Sequence, residues 1–331
     1  QEFRSDAEHY GRLMAPRKVK GEVMYAERPM SADMAKAFLA AGERRELPPI
    51  ALLAAAPVMV EAEDGIVLAD GGYSPECGGI YVKNHVEIDT DRGFEEAVGR
   101  LESLLADFDF VSDGDRARAF ASLVTPALRM GGWFGTEPVP VFVEEADQSQ
   151  SGKNFLQELR AAIYGEAPDQ ITVRRGGVGS LDESLGSALV RGRPFIQIDN
   201  VRGKIDSQLF ESLVTARGTV SVRIPHHGDL AVDPTRRIFS ITSNGMEGTV
   251  DLANRSCITR IRKREPGYQF ATYPEGNVLD HVRADPGHYL SAVFRVILEW
   301  VAHGKRRMTD TPHDFRVWAR TLDWITDHAL D

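Results

Sequence analysis

A chain of 331 residues, 42% hydrophobic and 27% charged, holds enough apolar material for two or three sizeable cores and has an ordinary globular composition. Its net charge of −10 excludes a surface that is basic all over, although a local basic stripe suffices for nucleic acid. Its two cysteines, Cys77 and Cys257, exclude a disulfide framework and a cysteine-rich zinc site, and fit buried thiols of a reducing compartment.

No run of about 18 apolar residues occurs and the charged N-terminus is no signal peptide, so a soluble, cytoplasmic protein with no membrane partner is expected. The start at Gln1-Glu2-Phe3-Arg4, without Met, leads to the expectation of a segment cut from a longer polypeptide.

Residues 1 to about 90 read as a mixed α+β section without a catalytic constellation. Ser31 is placed to cap a helix running to Glu43. Ile50 to Val60 is apolar but interrupted by Pro57, and short strands are predicted over 65–68 and 79–82, punctuated by glycine pairs. Phe94 to Asp107 places Phe94, Val98, Leu101, Leu104 and Leu105 on one helical face. Ser112 caps a second predicted helix that turns Ala119, Leu123 and Leu128 inward and ends at Gly131-Gly132.

From Val139 onward strands and helices alternate: strand 139–143, helix 155–164, strand 171–173, helix 181–190, strand 195–198, helix 209–215, strand 238–242. That alternation predicts an α/β fold, a mostly parallel sheet flanked by helices. After residue 275 the pattern is helical again, clearest over 289–302 and 315–325.

The chemistry starts at Gln150-Ser151-Gly152-Lys153-Asn154-Phe155, between a β-branched strand and an amphipathic helix. A phosphate loop needs backbone N–H groups facing inward, a Lys for the β and γ oxygens, and a helix N-terminus behind them. Gly152-Lys153 fits. Asp147 stands where the first glycine of the usual pattern belongs, and Asn154 where a metal-binding Ser or Thr belongs. One helix–strand pair downstream, Asp199 and Asn200 close an apolar strand. An acid at the end of an adjacent parallel strand can hold Mg²⁺, so Asn154 and Asp199 form the expected metal site.

Two further elements follow in order. The strand 238–242, expected beside the first strand of this region, runs into Ser243-Asn244-Gly245, where Asn244 can orient a water beside the γ-phosphate or simply shape a turn. Arg255, between a helix end and a basic strand, suits an arginine finger reaching a neighbour's phosphate, or a solvated edge. Between them, Val220 to Val232 alternates on both sides of His226-His227-Gly228-Asp229 and reads as a hairpin.

On these residues the chain resembles the AAA+-type P-loop ATPases, and Asn200 after the acid is similar to superfamily 3 helicases. More narrowly, it looks like the ATPase module of primase-helicase proteins of phages, plasmids and integrative elements. That resemblance is carried by Gly72-Tyr73-Ser74-Pro75, Asp107 to Asp113, Ile198 to Gly203, Thr242 to Gly245 and Asn254-Arg255-Ser256, and runs from about residue 45 to the end.

It implies an N-terminal accessory region over 1–132, a P-loop core over 133–275 and a helical lid over 276–331. It also implies a homo-oligomer, usually a hexameric ring, with ATP and Mg²⁺ at subunit interfaces and a fused or associated primase. Lys153 would contact phosphate, Asp199 the metal and Asn244 the attacking water, with Arg255 acting in trans. Arg223, His226 and His227 would face DNA from the hairpin; a surface loop with two incidental histidines is the equal alternative. The function implied is DNA-stimulated ATP hydrolysis with 3′–5′ unwinding. The alternative is a nucleotide-binding regulatory or loader subunit with weak or no hydrolysis, because Asn200 cannot act as the base that Glu provides in many such proteins. A third reading is a DNA-binding module on a relic fold.

Asp182 or Glu183 is a possible substitute carboxylate, Arg316 a possible second sensor in the lid, and Arg174-Arg175 a possible channel lining. Trp300, Trp318 and Trp324 read as packing residues, and His281, His288, His303 and His313 as scattered surface or packing histidines.

Overall fold

The computed structural model describes residues 14–19, 22–40, 50–63, 65–146, 148–172, 180–201, 205, 207–224, 228–244 and 250–330. The chain divides into two compact units, Gln1–Pro49 and Ile50–Asp331. The expected divisions after residues 132 and 275 both fall inside the second.

In the first unit, β1 (Met14–Val19) and β2 (Glu22–Glu27) form an antiparallel hairpin in register from Met14↔Glu27 to Val19↔Glu22. The following helix α1 (Ala32–Ala40) starts where expected, with Ser31 Oγ accepting from the Met34 N–H at 3.2 Å. No strand was expected over these residues from the sequence.

The second unit opens with β3 (Leu52–Ala54), β4 (Val58–Ala62), β5 (Gly65–Ala69), β6 (Gly72–Ser74) and β7 (Ile80–Val82). They form a three-stranded sheet of order β3-β7-β6 and a separate β4–β5 hairpin. Two helices follow, α2 (Phe94–Leu105) and α3 (Asp113–Met130), with the two-residue strand β8 (Asp109–Phe110) between them. Ser112 caps α3 by accepting from the Asp115 N–H at 3.1 Å, and Gly131 closes it, as the sequence indicated.

The alternating region supplies β9 (Val141–Glu145), α4 (Lys153–Ala162), β10 (Asp169–Thr172), α5 (Leu181–Arg191), β11 (Phe195–Val201) and α6 (Gln208–Thr215). The hairpin β12 (Val220–Ile224) and β13 (Gly228–Val232) comes next. It is followed by β14 (Ile238–Ser243), the short α7 (Val250–Asn254) and β15 (Ser256–Arg262). The chain ends in α8 (Val278–Ala284), α9 (Pro286–Ala302) and α10 (Arg316–Leu330).

The main sheet has the order β10-β11-β14-β9-β15-β8. Its first five strands are mutually parallel, and β8 pairs antiparallel at the edge. Both faces of the sheet are covered, so β14 is buried at every residue. Period-two alternation sorts β9 between two cores: Phe142 joins one with α2, α3, α4, α9 and α10, and Val141 and Val143 join the other with α5 and α6.

One sequence expectation is corrected here. The acid-bearing strand β11 is not adjacent to β9, because β14 lies between them. A parallel neighbour needs a crossover, and the crossover from β9 through α4 runs past two strand positions to the far edge before the chain works back. Among the described residues no helix is long and apolar enough to cross a membrane.

Candidate nucleotide site at the C-terminal strand edge

Parallel sheets with helices on both faces leave a crevice beyond the carboxyl ends of their strands, and it deepens where the chain order reverses. Here β9 sits at the reversal, flanked by β14 and β15. Register brings Glu145, Ser243 and Val201 level at that edge.

Residues 148–152 lead from β9 to the N-terminus of α4. Gln150 (φ 61°) and Gly152 (φ 96°) both adopt left-handed backbone around Ser151, a turn of the kind that gathers N–H groups toward an anion. At Gly152 a Cβ would also stand 3.1 Å from the Phe108 ring, so glycine serves both the turn and the close approach. The helix begins at Lys153, two residues before the predicted start.

Lys153 is buried, and its Nζ donates to the Gln148 carbonyl at 3.1 Å, Ser151 Oγ at 3.2 Å and Asn244 Oδ1 at 2.6 Å. A second set of bonds meets it from β11. Asp199 Oδ1 accepts from Asn154 Nδ2 at 2.8 Å and from Thr242 Oγ1 at 2.7 Å. The Asn200 N–H donates to the same Thr242 hydroxyl at 2.9 Å. Asn200 takes φ 51°, where the β11–β14 register shifts between Ile198 and Val201. Asn tolerates that left-handed conformation better than most residues, and the bulge turns Asn200 outward while holding Asp199 toward α4.

Lys153, Asn154, Asp199 and Asn244 are therefore brought together from α4, β11 and the end of β14. Thr242 is the member to which the sequence reading gave no role; it entered there only within the stretch Thr242 to Gly245.

The floor under this cluster is charged but closed. Glu144 and Arg160 form a fully buried ion pair, joined by Gln157, with Arg160 Nε donating to Ser122 at 3.1 Å. The Arg160 guanidinium also lies 4.6 Å from the centre of the Phe142 ring. This network anchors α4 to β9 and α3, directly beneath the Gly152-Lys153 turn.

Beside the turn opens a pocket of about 570 Å³, lined among others by Gln150, Ser151, Gly152, Phe108, Phe155 and Tyr268. Its walls come from two remote segments. The Phe108 ring lies 6.3 Å from Phe155 and 5.8 Å from Phe110, and Tyr268 meets Phe270 edge-on at 5.0 Å. Arg264 clamps the segments: it donates to the carbonyls of Ala106, Asp107 and Phe108 at 2.9 to 3.1 Å and stacks over Tyr268 at 4.3 Å. Asp107 completes the clamp, accepting from the Tyr268 hydroxyl at 2.9 Å and the Ala271 N–H at 3.0 Å. The hydrogen bond to Asp107 also pushes the Tyr268 hydroxyl pKa upward. A pocket of this volume with a few convergent polar groups and aromatic walls matches a small organic ligand.

Asp199 and Asn154 also fit a hydrated divalent cation. Asp199 Oδ2 has no hydrogen-bond partner among the described residues, and the Asn154 amide oxygen offers a neutral hard ligand.

Other expected residues sit elsewhere. Arg255 does not join the cluster. It pairs with Asp251 on α7 at 2.8 Å, and its carbonyl accepts from Val141 N–H at the opposite, N-terminal edge of the sheet. Four residue steps along β9 put that edge about 13 Å from Glu145. Arg316 lines a groove with Ala253, Asn254, His313 and Arg320, and is not among the residues lining the aromatic pocket. Asp182 accepts from Ser207, the cap of α6. Arg223 is exposed on β12, in register with Asp229. Asp147, Arg174, Arg175, His226, His227 and Gly245 lie outside the described residues.

Fold and site together define a mixed α/β protein with a parallel sheet, a lysine-bearing turn at a helix N-terminus and an aromatic pocket beside it. No protein-family model matches the chain, and no curated protein matches it. Two solved structures are similar over most of its length. The apo C-terminal region of NrS-1 aligns with TM-score 0.40 at 13% identity, covering 99% of this chain and 74% of that one. SCCmec type IV Cch, described as an active helicase, aligns with TM-score 0.36 at 13% identity, covering 94% of this chain and 66% of that one. Likeness at this level assigns neither a family nor an activity to the chain.

Proposed function

We propose that this chain binds ATP at the C-terminal edge of its parallel sheet and hydrolyses it to move along DNA, as a helicase-type ATPase of the AAA+ and superfamily 3 kind. The observation that carries the reading is the convergence of Lys153, Asn154, Asp199 and Asn244 at the mouth of the turn before α4. Gln150, Ser151, Gly152, Lys153, Asn154 and Phe155 would hold the triphosphate, with N–H groups and the Lys153 ammonium meeting its charge. The adenine would lie among Phe108, Phe155 and Tyr268.

A magnesium ion on Asp199 and Asn154 would offset phosphate charge. Lys153 now donates to Asn244 and would pass to phosphate oxygen, freeing the Asn244 amide for the attacking water. Arg255 stands at the opposite edge of its own sheet from this site, which supports action on a neighbouring subunit's nucleotide in a hexameric ring. The β12–β13 hairpin, which exposes Arg223 and whose connecting sequence contains His226 and His227, is the proposed DNA contact.

A specific observation favours a second reading. Asn154 bonds the one carboxylate hydrogen-bonded within this cluster, and Asn200 follows that acid where a base would stand. Both features slow hydrolysis, so a nucleotide-binding loader or regulatory subunit has the same geometry.

The test is Lys153→Ala. ATP turnover is expected to fall at least about a hundredfold, with the circular dichroism spectrum unchanged. Parental turnover in the variant would remove the phosphate-loop assignment. Stimulation of turnover by DNA, weakening steeply with salt, favours the helicase over the loader.

A further inference from the structure

Helix α9 ends with Glu299 on its last turn, and His303, four residues on, is its C-cap. Residues spaced i and i+4 share one helix face, so a carboxylate and an imidazole project together. The last helix, α10, adds His328 from the other side. One potential ligand atom from each of Glu299, His303 and His328 lies within 4.8 Å of the other two. Specifically, Glu299 Oε1 lies 3.5 Å from His303 Nδ1 and 3.9 Å from His328 Nε2, and the two imidazole centres are 4.8 Å apart.

We propose that Glu299, His303 and His328 form a binding site for a borderline divalent transition ion of the zinc class, distinct from the nucleotide site. Two imidazoles and one carboxylate are a ligand set such ions favour, with a fourth position left for water. Neighbouring ligand atoms around a tetrahedral ion are separated by about 3.3 Å when each bond is about 2.0–2.1 Å. The three groups close on that geometry by modest side-chain rotation.

The surroundings already orient each ligand, as outer-shell partners do at metal sites. Arg295 Nη2 donates to Glu299 Oε2 at 2.7 Å, fixing that oxygen and leaving Oε1 toward the rings. His303 Nδ1 lies 2.9 Å from the Glu299 carbonyl, which holds that nitrogen on the side facing Glu299 Oε1; ligation through Nδ1 releases this contact and leaves the proton on Nε2. His328 is stacked between Trp324, at 4.8 Å and 18°, and Phe94, at 5.1 Å and 30°. An ion held there ties the C-terminal ends of α9 and α10 together, beside the start of α2.

The test is titration of the untagged full chain with Co²⁺, read by its visible ligand-field absorption and reversed by Zn²⁺. One equivalent is expected to bind, with Zn²⁺ raising the melting temperature. His328→Ala and His303→Gln are each expected to weaken binding at least about tenfold. His328 sits on the surface, so its variant is expected to fold. Lys153→Ala is expected to bind Co²⁺ as the parent does. Absence of stoichiometric binding, binding unchanged in both histidine variants, or loss of the signal in Lys153→Ala would each overturn the proposal.

Discussion

Asn154 is the residue on which the speed of the proposed site turns. A Thr or Ser there would present a hydroxyl to the metal. Asn154 instead donates its amide to Asp199 Oδ1, while Thr242 donates to the same oxygen. The carboxylate is thus held by two neutral donors on one oxygen. Replacing Asn154 with Thr removes one donor and supplies the hydroxyl, so steady-state ATP turnover at saturating Mg²⁺ is expected to rise several-fold. Turnover unchanged from the parent would mean that position 154 does not limit the reaction. Thr242 and Asn200 act at the same scale: the left-handed Asn200 is tied to Thr242 through its backbone, so the bulge, and not only the acid, sets where Asp199 points.

At the scale of elements, the contact between α3 and β15 holds the edge beside the site. Asp115, in the first turn of α3, accepts from the Arg260 N–H at 3.0 Å, Arg118 at 2.7 Å and Ser112 at 2.6 Å. Burial alone would raise its pKa; the bonds from Ser112, Arg118 and Arg260 outweigh burial and hold it below the ordinary carboxylate value. A carboxyl depressed in the folded state adds stability above its unfolded pKa of about 3.9 and loses it as pH falls through the lower folded value. Asp115→Asn is therefore expected to cost about 2 kcal/mol in urea unfolding at neutral pH, with the gap to the parent closing as pH drops below about 4. A gap that stays constant with pH would show that the ionised form is not what stabilises this contact.

Elements of this kind were legible where the signal is local. The Ser31 and Ser112 caps, the alternation on both sides of residues 226 and 227, and the helical spacing of Leu101, Leu104 and Leu105 all show in the sequence because neighbours a few residues apart decide them. Strand order showed only in part: the strand ending at Asn244 was expected beside the first strand, as β14 is beside β9, but its place between β9 and β11 depends on long crossovers that no local pattern records. The aromatic pocket was half legible. Phe155 adjoins the Gly-Lys pair, but Phe108, Arg264 and Tyr268 come from segments 45 or more residues away on either side, and only their packing reveals a shared wall. The same holds for Glu299 and His303, whose spacing is visible while His328 is not.

For the whole molecule, the proposed function requires an assembly if Arg255 takes part in it. The guanidinium is paired with Asp251 at the N-terminal sheet edge, and Lys153 stands at the C-terminal edge. One subunit cannot bring them together without dismantling the sheet. Arg255→Ala and Lys153→Ala chains should each be inactive alone. Mixed, they should regain part of the turnover, since an intact Lys153 in one subunit can meet an intact Arg255 from the next. Full activity of Arg255→Ala alone would rule out its action in trans.

The central claim, that nucleotide sits between the Gly152-Lys153 turn and the Phe108–Tyr268 walls, is met most directly by photolabelling with an azido-adenine ATP analogue and mapping the modified peptides. The account predicts label on the peptides containing Phe108 or Tyr268, suppressed by excess ATP and by Lys153→Ala. Label confined to other peptides, or undiminished in the Lys153→Ala chain, would contradict it.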